Sequence, residues 1–226
     1  MSTTAHRSRK LQLALDVLET ADAVRIARAS ADSIDIVEAG TILCLSEGMH
    51  AVRALREALP GHHLLADIRA GRVGDRLAKL AFDAGADSVT VLAEVPDRVV
   101  TGALRAAAAV DGAVAAELHD TWTEDDVHRL VDLGVRHIVA HRTYDSAFAD
   151  DEYIASTVAR LAALELPGVE VSLAGGIALA DVDLIGEWGF DTLVVGSGIA
   201  KAEDPAAAAR DYATRLRSVT KVGVGR

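Results

Sequence analysis

The fold is decided by the stretch Leu64-Leu65-Ala66-Asp67-Ile68-Arg69-Ala70-Gly71-Arg72, in which a short apolar run breaks into charge and then into a glycine turn. An apolar run of this length is typical of a parallel strand that is buried on both faces. Residues just past the carboxyl ends of parallel strands lie where ligands bind. Asp67 and Arg69 are two residues apart, so both side chains leave the same face of an extended backbone. A salt bridge at the rim would also explain this pair, but several other strands end in the same way.

The same alternation of short apolar runs and amphipathic segments continues along the whole chain. The predicted strands cover residues 11–15, 34–37, 64–66, 88–92, 113–116, 137–140, 169–173 and 192–195. The predicted helices cover 22–30, 47–59, 75–84, 97–109, a segment with its N-cap at Thr123, 152–164, 181–187 and 204 to about 218. Eight strand–helix units without a linker predict an α/β fold, a single-domain (β/α)₈ TIM barrel over residues 11–226. A doubly wound open sheet is the alternative, but no Gly-x-Gly-x-x-Gly follows the first strand.

The composition narrows the class of protein. The 226 residues are 50% hydrophobic and carry a formal net charge of −11, which argues against general nucleic-acid binding. Cys44 is the only cysteine, so neither a disulfide nor a cysteine metal cluster is expected. Residues 1–10 are polar and basic, and we expect them to form a flexible N-terminal tail. No stretch approaches the roughly 18 apolar residues of a membrane span, so we expect a soluble cytoplasmic protein without membrane contact.

Polar side chains end five of the predicted strands. They are Asp16, Glu38, Asp67, Glu117 and His141. Four carboxylates at one barrel mouth would repel each other, and a cation would offset that cost. Glu38 and Asp67 end adjacent strands and suit a Mg²⁺ ion held by few protein ligands together with water and substrate. Each acid taken alone could equally be a helix cap, whereas a histidine at a strand end suits proton transfer near neutral pH.

Glycine-rich turns follow the last two strands. Gly175 and Gly176 follow strand seven, and Gly196 and Ser197 follow strand eight. Loops seven and eight form the usual phosphate site of this barrel, because backbone amides and a helix start make an anion cradle. Glycine pairs also serve as plain turns. We expect the mouth to hold a small phosphorylated compound, with its reacting carbons over Asp67.

Longer segments of the sequence carry a resemblance to a known family. They are residues 11–16, 35–44, 64–67, 117–118, 122–123, 140–142 and 174–179. Together they resemble the 3-keto-L-gulonate 6-phosphate decarboxylases and 3-hexulose-6-phosphate synthases, of the orotidine 5′-monophosphate decarboxylase group of barrels. The segment 38–44, Glu117-Leu118 and His141-Arg142 favour the decarboxylase branch.

This resemblance implies a Mg²⁺-dependent reaction through an enediolate, in a homodimer whose active sites lie near the subunit interface. It implies that Glu38 and Asp67 are metal ligands and that Asp16 contacts substrate hydroxyls. It further implies that Glu117 and His141 position and protonate the intermediate. The remaining substrate-binding positions are Arg142, Tyr144 and the glycine loops.

The chain departs from the family mainly at its cations. The family signature Asp-x-Lys-x-x-Asp is here Asp67-x-Arg69-x-x-Arg72, and arginine is a planar, permanently charged fork where lysine is a compact donor. The last aspartate of the signature normally reaches into the partner's site, so Arg72 reverses a charge there. The other replacements are Tyr144 and Ser197 for arginines and Ala174 for a threonine. We therefore expect an altered substrate, with Arg69 stabilising the enediolate and Arg72 binding the departing carboxylate.

Three functions are compatible with this sequence. The first is a carbon–carbon lyase that decarboxylates a β-keto sugar-acid phosphate. The second is an aldolase of the hexulose-phosphate synthase type, which joins formaldehyde and ribulose 5-phosphate through the same enediolate. The third is a sugar-phosphate binding protein that has lost catalysis. Formation of CO₂ or of formaldehyde from candidate substrates would separate them.

Overall fold

Eight parallel strands close into a barrel in the computed structural model, which describes residues 9–142, 151–185 and 189–219. The strands are β1 (Lys10–Leu15), β2 (Ile36–Ala39), β3 (His63–Ala70), β4 (Ser88–Leu92), β5 (Ala113–Leu118), β6 (His137–His141), β7 (Glu170–Ala174) and β8 (Thr192–Val195). The helices are α1 (Thr20–Ser30), α2 (Thr41–Glu47), α3 (Met49–Ala58), α4 (Gly74–Asp83), α5 (Asp97–Ala108), α6 (Glu124–Leu133), α7 (Asp151–Ala163), α8 (Val182–Ile185), α9 (Ser197–Ala200) and α10 (Pro205–Ser218). Neighbouring strands pair in chain order and β1 pairs with β8, which confirms the single-domain (β/α)₈ barrel.

The core has two layers that follow the two-residue alternation of the strands. Leu11, Leu13 and Leu15 of β1 belong to the large cluster of buried residues between the sheet and the helices. The lumen holds a separate cluster of small side chains, namely Ala14, Ala115, Val139, Ala174 and Val194. Because these side chains are short, the carboxyl end of the lumen stays open as a cavity.

The barrel begins earlier than the sequence predicted. Lys10, assigned to the N-terminal tail, opens β1, and Arg9 is buried with its guanidinium 4.5 Å from the ring centroid of Phe190. This contact anchors the chain before residue 11, so the predicted tail boundary is too late. Residues 1–8 of that tail lie outside the described residues.

One predicted helix is in fact two. The sequence predicted a helix over 47–59, whereas α2 and α3 are separated by Gly48, which has φ 60° and ψ −155°. Side-chain-bearing residues avoid this conformation, so glycine permits the break. The predicted N-cap at Thr123 is confirmed, since its hydroxyl accepts the Asp126 N–H at 3.3 Å. Throughout the described segments, no helix has both the length and the apolar character needed to cross a membrane.

Candidate active site

A cavity of about 250 Å³ opens at the carboxyl ends of the strands. It is lined by ten of the residues that the sequence singled out, namely Asp16, Glu38, Asp67, Arg69, Glu117, His141, Gly175, Gly176, Gly196 and Ser197. These residues come from the ends of every strand except β4, so only closure of the barrel brings them together. The cavity is therefore the candidate active site.

Two buried carboxylates form the floor of this cavity. Glu38 accepts a hydrogen bond from the Gln12 side-chain amide, and Asp67 accepts hydrogen bonds from the Thr41 and Thr90 hydroxyls. Burial raises the pKa of Glu38 well above its ordinary value, and the charge of Asp67 raises it further. Burial also raises the pKa of Asp67, although Arg69 opposes that shift. A cation near both carboxylates would favour their charged forms.

Arg69 links this floor to the opposite wall. Its Nε lies 3.3 Å from Asp67 Oδ2, and its Nη2 lies 3.2 Å from Glu117 Oε1. Burial alone would lower the pKa of Arg69, but the facing carboxylates outweigh it and raise the pKa. Arg69 therefore places a permanent positive charge between two acids inside the cavity.

His141 and Glu117 form a second pair, with 2.9 Å between Nδ1 and Oε1. A carboxylate only accepts hydrogen bonds, so this contact assigns the proton of the neutral imidazole to Nδ1. Nε2 then has the lone pair that can accept a proton, and it can return that proton as an acid. The pair is suited to general acid–base chemistry at the mouth.

The glycine loop after β7 needs its glycines. Gly175 has φ 103°, and a Cβ atom there would lie 2.2 Å from the Arg142 carbonyl oxygen. Arg142 itself donates from Nε to the Gly175 carbonyl at 3.1 Å and from Nη2 to the Gly176 carbonyl at 3.0 Å. Arg142 thus fixes the shape of the loop and does not line the cavity, in contrast to its predicted contact with substrate.

Lys201 lines the same end of the cavity and was missed by the sequence argument. It follows α9 directly and lies four residues after Ser197, which is one helical turn. That spacing from the glycine loop is the signal that could have identified it. Gln12 and Thr90 were also missed, although both are polar residues at lumen-facing positions of their strands.

Three other predicted site residues lie elsewhere. Asp16 is exposed at the edge of the mouth and accepts the Ile42 N–H at 3.1 Å, near the start of α2. Arg72 lines a separate surface cavity beside Arg98 and does not reach the mouth of its own barrel. Tyr144 lies outside the described residues.

Metal-binding groups are sparse in this part of the chain. Among residues 9–142, 151–185 and 189–219, no three His, Cys, Asp or Glu side chains come together as a metal cluster. Glu38 and Asp67 supply two carboxylates, and the buried Gln12 Oε1 in the same cavity has no hydrogen-bond partner among these residues. The set of donors is thus made entirely of oxygen atoms.

Comparisons with known proteins agree with this geometry. A sequence model described as "Orotidine 5'-phosphate decarboxylase / HUMPS family" matches residues 9–212. The chain is 37% identical to 3-keto-L-gulonate-6-phosphate decarboxylase SgbH of Escherichia coli K12, over 92% of this chain and 95% of that protein. Its fold is similar to that of KGPDC from Streptococcus mutans in complex with a D-pentose 5-phosphate, with a TM-score of 0.87 and 27% identity over 93% and 98% of the two chains. It is also similar to 3-hexulose-6-phosphate synthase from Salmonella typhimurium, with a TM-score of 0.80 and 30% identity over 92% and 98%.

Proposed function

The chain belongs to the orotidine 5′-phosphate decarboxylase / HUMPS family and is a carbon–carbon lyase, and we propose that it decarboxylates an acidic, phosphorylated ketose with the help of Mg²⁺. The observation that carries this proposal is the placement of Arg69 between Asp67 and Glu117 inside the cavity. Loss of CO₂ from a β-keto acid leaves an enediolate, whose negative charge needs a fixed cation nearby. The Arg69 guanidinium is the cation that this chain supplies.

The chain's own residues divide the remaining work. His141, held through Nδ1 by Glu117, would deliver the proton that converts the enediolate to a ketose. Asp16, at the edge of the mouth, would bind substrate hydroxyls. The lumen side chains Ala14 and Val194 exclude water beneath the reacting carbons.

Glu38 and Asp67 would hold the Mg²⁺ ion. Both carboxylates are buried, on neighbouring strands, and Mg²⁺ prefers oxygen ligands while keeping part of its water shell. The unpartnered Gln12 Oε1 beside them is placed to accept a hydrogen bond from such a water. When bound, the ion would act as a Lewis acid that stabilises negative charge on the substrate oxygens.

Phosphate would bind at the opposite end of the cavity. The backbone of Gly175, Gly176, Gly196 and Ser197 lines this end, and Lys201 adds a positive charge there. Ser197 stands where the family has an arginine, so Lys201 would replace that charge from one turn further along. The complex of KGPDC with a D-pentose 5-phosphate supports a sugar phosphate as the ligand class.

The alternative is an aldolase of the hexulose-phosphate synthase type. The structural similarity to 3-hexulose-6-phosphate synthase favours it, because the same cavity would stabilise the same enediolate before it attacks formaldehyde. The third possibility, a binding protein without catalysis, is set aside because the chain is a lyase.

The proposal includes a cytoplasmic homodimer whose active sites lie near the subunit interface. Exposed apolar side chains near the barrel mouth support such an interface, namely Leu18, Ile42, Leu45 and Val73. Arg72 points to the same role, since it lies outside its own cavity and would serve the partner's. Sedimentation analysis of Leu45→Glu, whose wild-type side chain is 79% exposed, tests the dimer directly.

The decisive experiment measures the products. The full-length protein is incubated with carboxyl-labelled 3-keto-L-gulonate 6-phosphate, with a second acidic ketose phosphate, and with ribulose 5-phosphate plus formaldehyde. Each reaction is run with Mg²⁺ and with EDTA. Mg²⁺-dependent release of labelled CO₂ supports the decarboxylase. Consumption of formaldehyde without any CO₂ release selects the aldolase.

A further inference from the structure

Thr90 has an unusual set of partners for a strand residue. It lies on β4, is 4% exposed and faces the lumen. Its Oγ1 donates to Asp67 Oδ1 at 2.6 Å and accepts the backbone N–H of Arg69 at 2.9 Å. One hydroxyl therefore contacts both an acidic and a basic residue of the candidate site.

These contacts replace regular strand pairing. Ala66 pairs with Val89 and Ala70 pairs with Val91, so β3 takes four steps where β4 takes two. Asp67, Ile68 and Arg69 thus face Thr90 alone, in a β-bulge. Because the backbone ladder is interrupted here, the Arg69 N–H finds its acceptor on the Thr90 side chain.

The bulge places Arg69 in a strained conformation. Arg69 has φ 40°, in the left-handed region that residues other than glycine rarely adopt. Such a conformation persists only where the surrounding structure holds it, and it concentrates at functional sites. The two flanking strand pairs and the Thr90 hydroxyl are what hold it here.

We propose that Thr90 is a positioning residue, which holds the β3 bulge so that Arg69 projects between Asp67 and Glu117. Without the hydroxyl, the Arg69 N–H loses its acceptor and Asp67 loses a donor. The bulge then relaxes, and the guanidinium leaves the position where the enediolate charge develops. The catalytic consequence rests on the proposed function, whereas the structural consequence does not.

The test compares three variants of the full-length protein. Thr90→Val removes the hydroxyl with little change of shape, and Thr90→Ser keeps it. Thr192→Val is the matched control, because Thr192 is another fully buried threonine whose Oγ1 has no hydrogen-bond partner in the described part of the chain. Should Thr90→Val fail to fold, Thr90→Ala is measured in its place by the same criteria.

Two readouts are needed. In the decarboxylation assay, Thr90→Val should lower kcat by about 10²-fold with little change in KM, as expected for a misplaced catalytic group. Thr90→Ser should recover most of that loss, and Thr192→Val should behave like the wild type. By amide hydrogen exchange in NMR, the Arg69 amide should be protected in the wild type and in Thr192→Val but exchange rapidly in Thr90→Val.

The outcomes separate the two proposals. A wild-type kcat in Thr90→Val, or an unchanged Arg69 amide, overturns the positioning role. Equal damage from Thr90→Ser and Thr90→Val overturns it as well, because packing and not the hydroxyl would then matter. If the wild type releases no CO₂ from any substrate, the proposed function fails, and the exchange experiment still decides whether Thr90 holds the bulge.

Discussion

Arg69 on β3 forms an ion pair with Glu117 on β5, reaching across the intervening strand β4 with 3.2 Å between Nη2 and Oε1. The same Glu117 oxygen holds His141 at 2.9 Å. One carboxylate therefore orients both the cation that would stabilise the intermediate and the residue that would protonate it. The predictions below test the parts of this arrangement separately.

Replacing Arg69 by alanine should lower kcat by about 10²–10³, the loss typical of removing one donor to a developing oxyanion. Release of CO₂ measures the effect. Arg105→Ala, on the exposed surface of α5, is the control and should leave kcat unchanged. An Arg69→Ala enzyme with wild-type kcat would show that the guanidinium takes no part in the reaction.

The double variant Arg69→Lys with Arg72→Asp should shift substrate preference toward 3-keto-L-gulonate 6-phosphate. The wild type carries about two more positive charges per site than the family pattern, so it should favour a more anionic or differently placed carboxylate. The ratio of kcat/KM for two acidic ketose phosphates measures the shift. If the wild type already uses ketogulonate phosphate efficiently and the double variant gains nothing, the two arginines do not set specificity.

Asp67→Asn should weaken Mg²⁺ binding, because it removes one of the two carboxylates that would hold the ion. Isothermal calorimetry with MgCl₂ and the protein alone measures this without any substrate. Asp183→Asn, an exposed carboxylate paired with Arg215, is the control for a lost surface charge. Unchanged Mg²⁺ affinity in Asp67→Asn would refute the metal site.

Lys201→Ala should raise KM for a phosphorylated substrate by about 10- to 100-fold with little change in kcat, since a hydrogen bond to a charged group is worth roughly 1.5–3 kcal/mol. Steady-state kinetics at low and high salt measure the effect. Lys79→Ala, on the exposed face of α4, should change neither constant. An equal rise in KM for both variants would mean that only net charge matters.

His137 should make stability fall at acidic pH. Burial lowers the pKa of His137 to about 4, and its Nε2 lies 2.6 Å from Ser172 Oγ. Stability is complete above the unfolded pKa of about 6.5 and falls as the pH drops toward 4, because only the unfolded chain then binds the proton. The loss approaches about 3 kcal/mol by linkage.

Urea unfolding between pH 7 and 4 measures this slope. The variant His137→Gln should flatten the slope, and the exposed His50→Gln should not. A slope that is identical in His137→Gln and the wild type would assign the acid sensitivity to other groups, such as His63, whose pKa burial also lowers.

Local patterns in the chain were sufficient for most of the fold. The strands β4 and β8 have the predicted bounds, and the N-cap Thr123 lies where its sequence motif put it. Alternating burial and helix capping depend on residues within a few positions of each other, so they can be read directly from the sequence. The carboxylates Glu38 and Asp67 were found for the same reason, because they end apolar runs.

The sequence by itself determined the eight βα units and the acids and His141 that end their strands. Only the tertiary structure decided that Thr90 holds Arg69 in a bulge, that Arg142 shapes the glycine loop, and that Arg72 lies outside the cavity of its own barrel. These outcomes depend on strand register and loop shape, which arise from contacts between segments far apart in the chain. A hydrogen bond such as that from the Arg69 N–H to Thr90 has no local signature, because its geometry exists only once the barrel has closed.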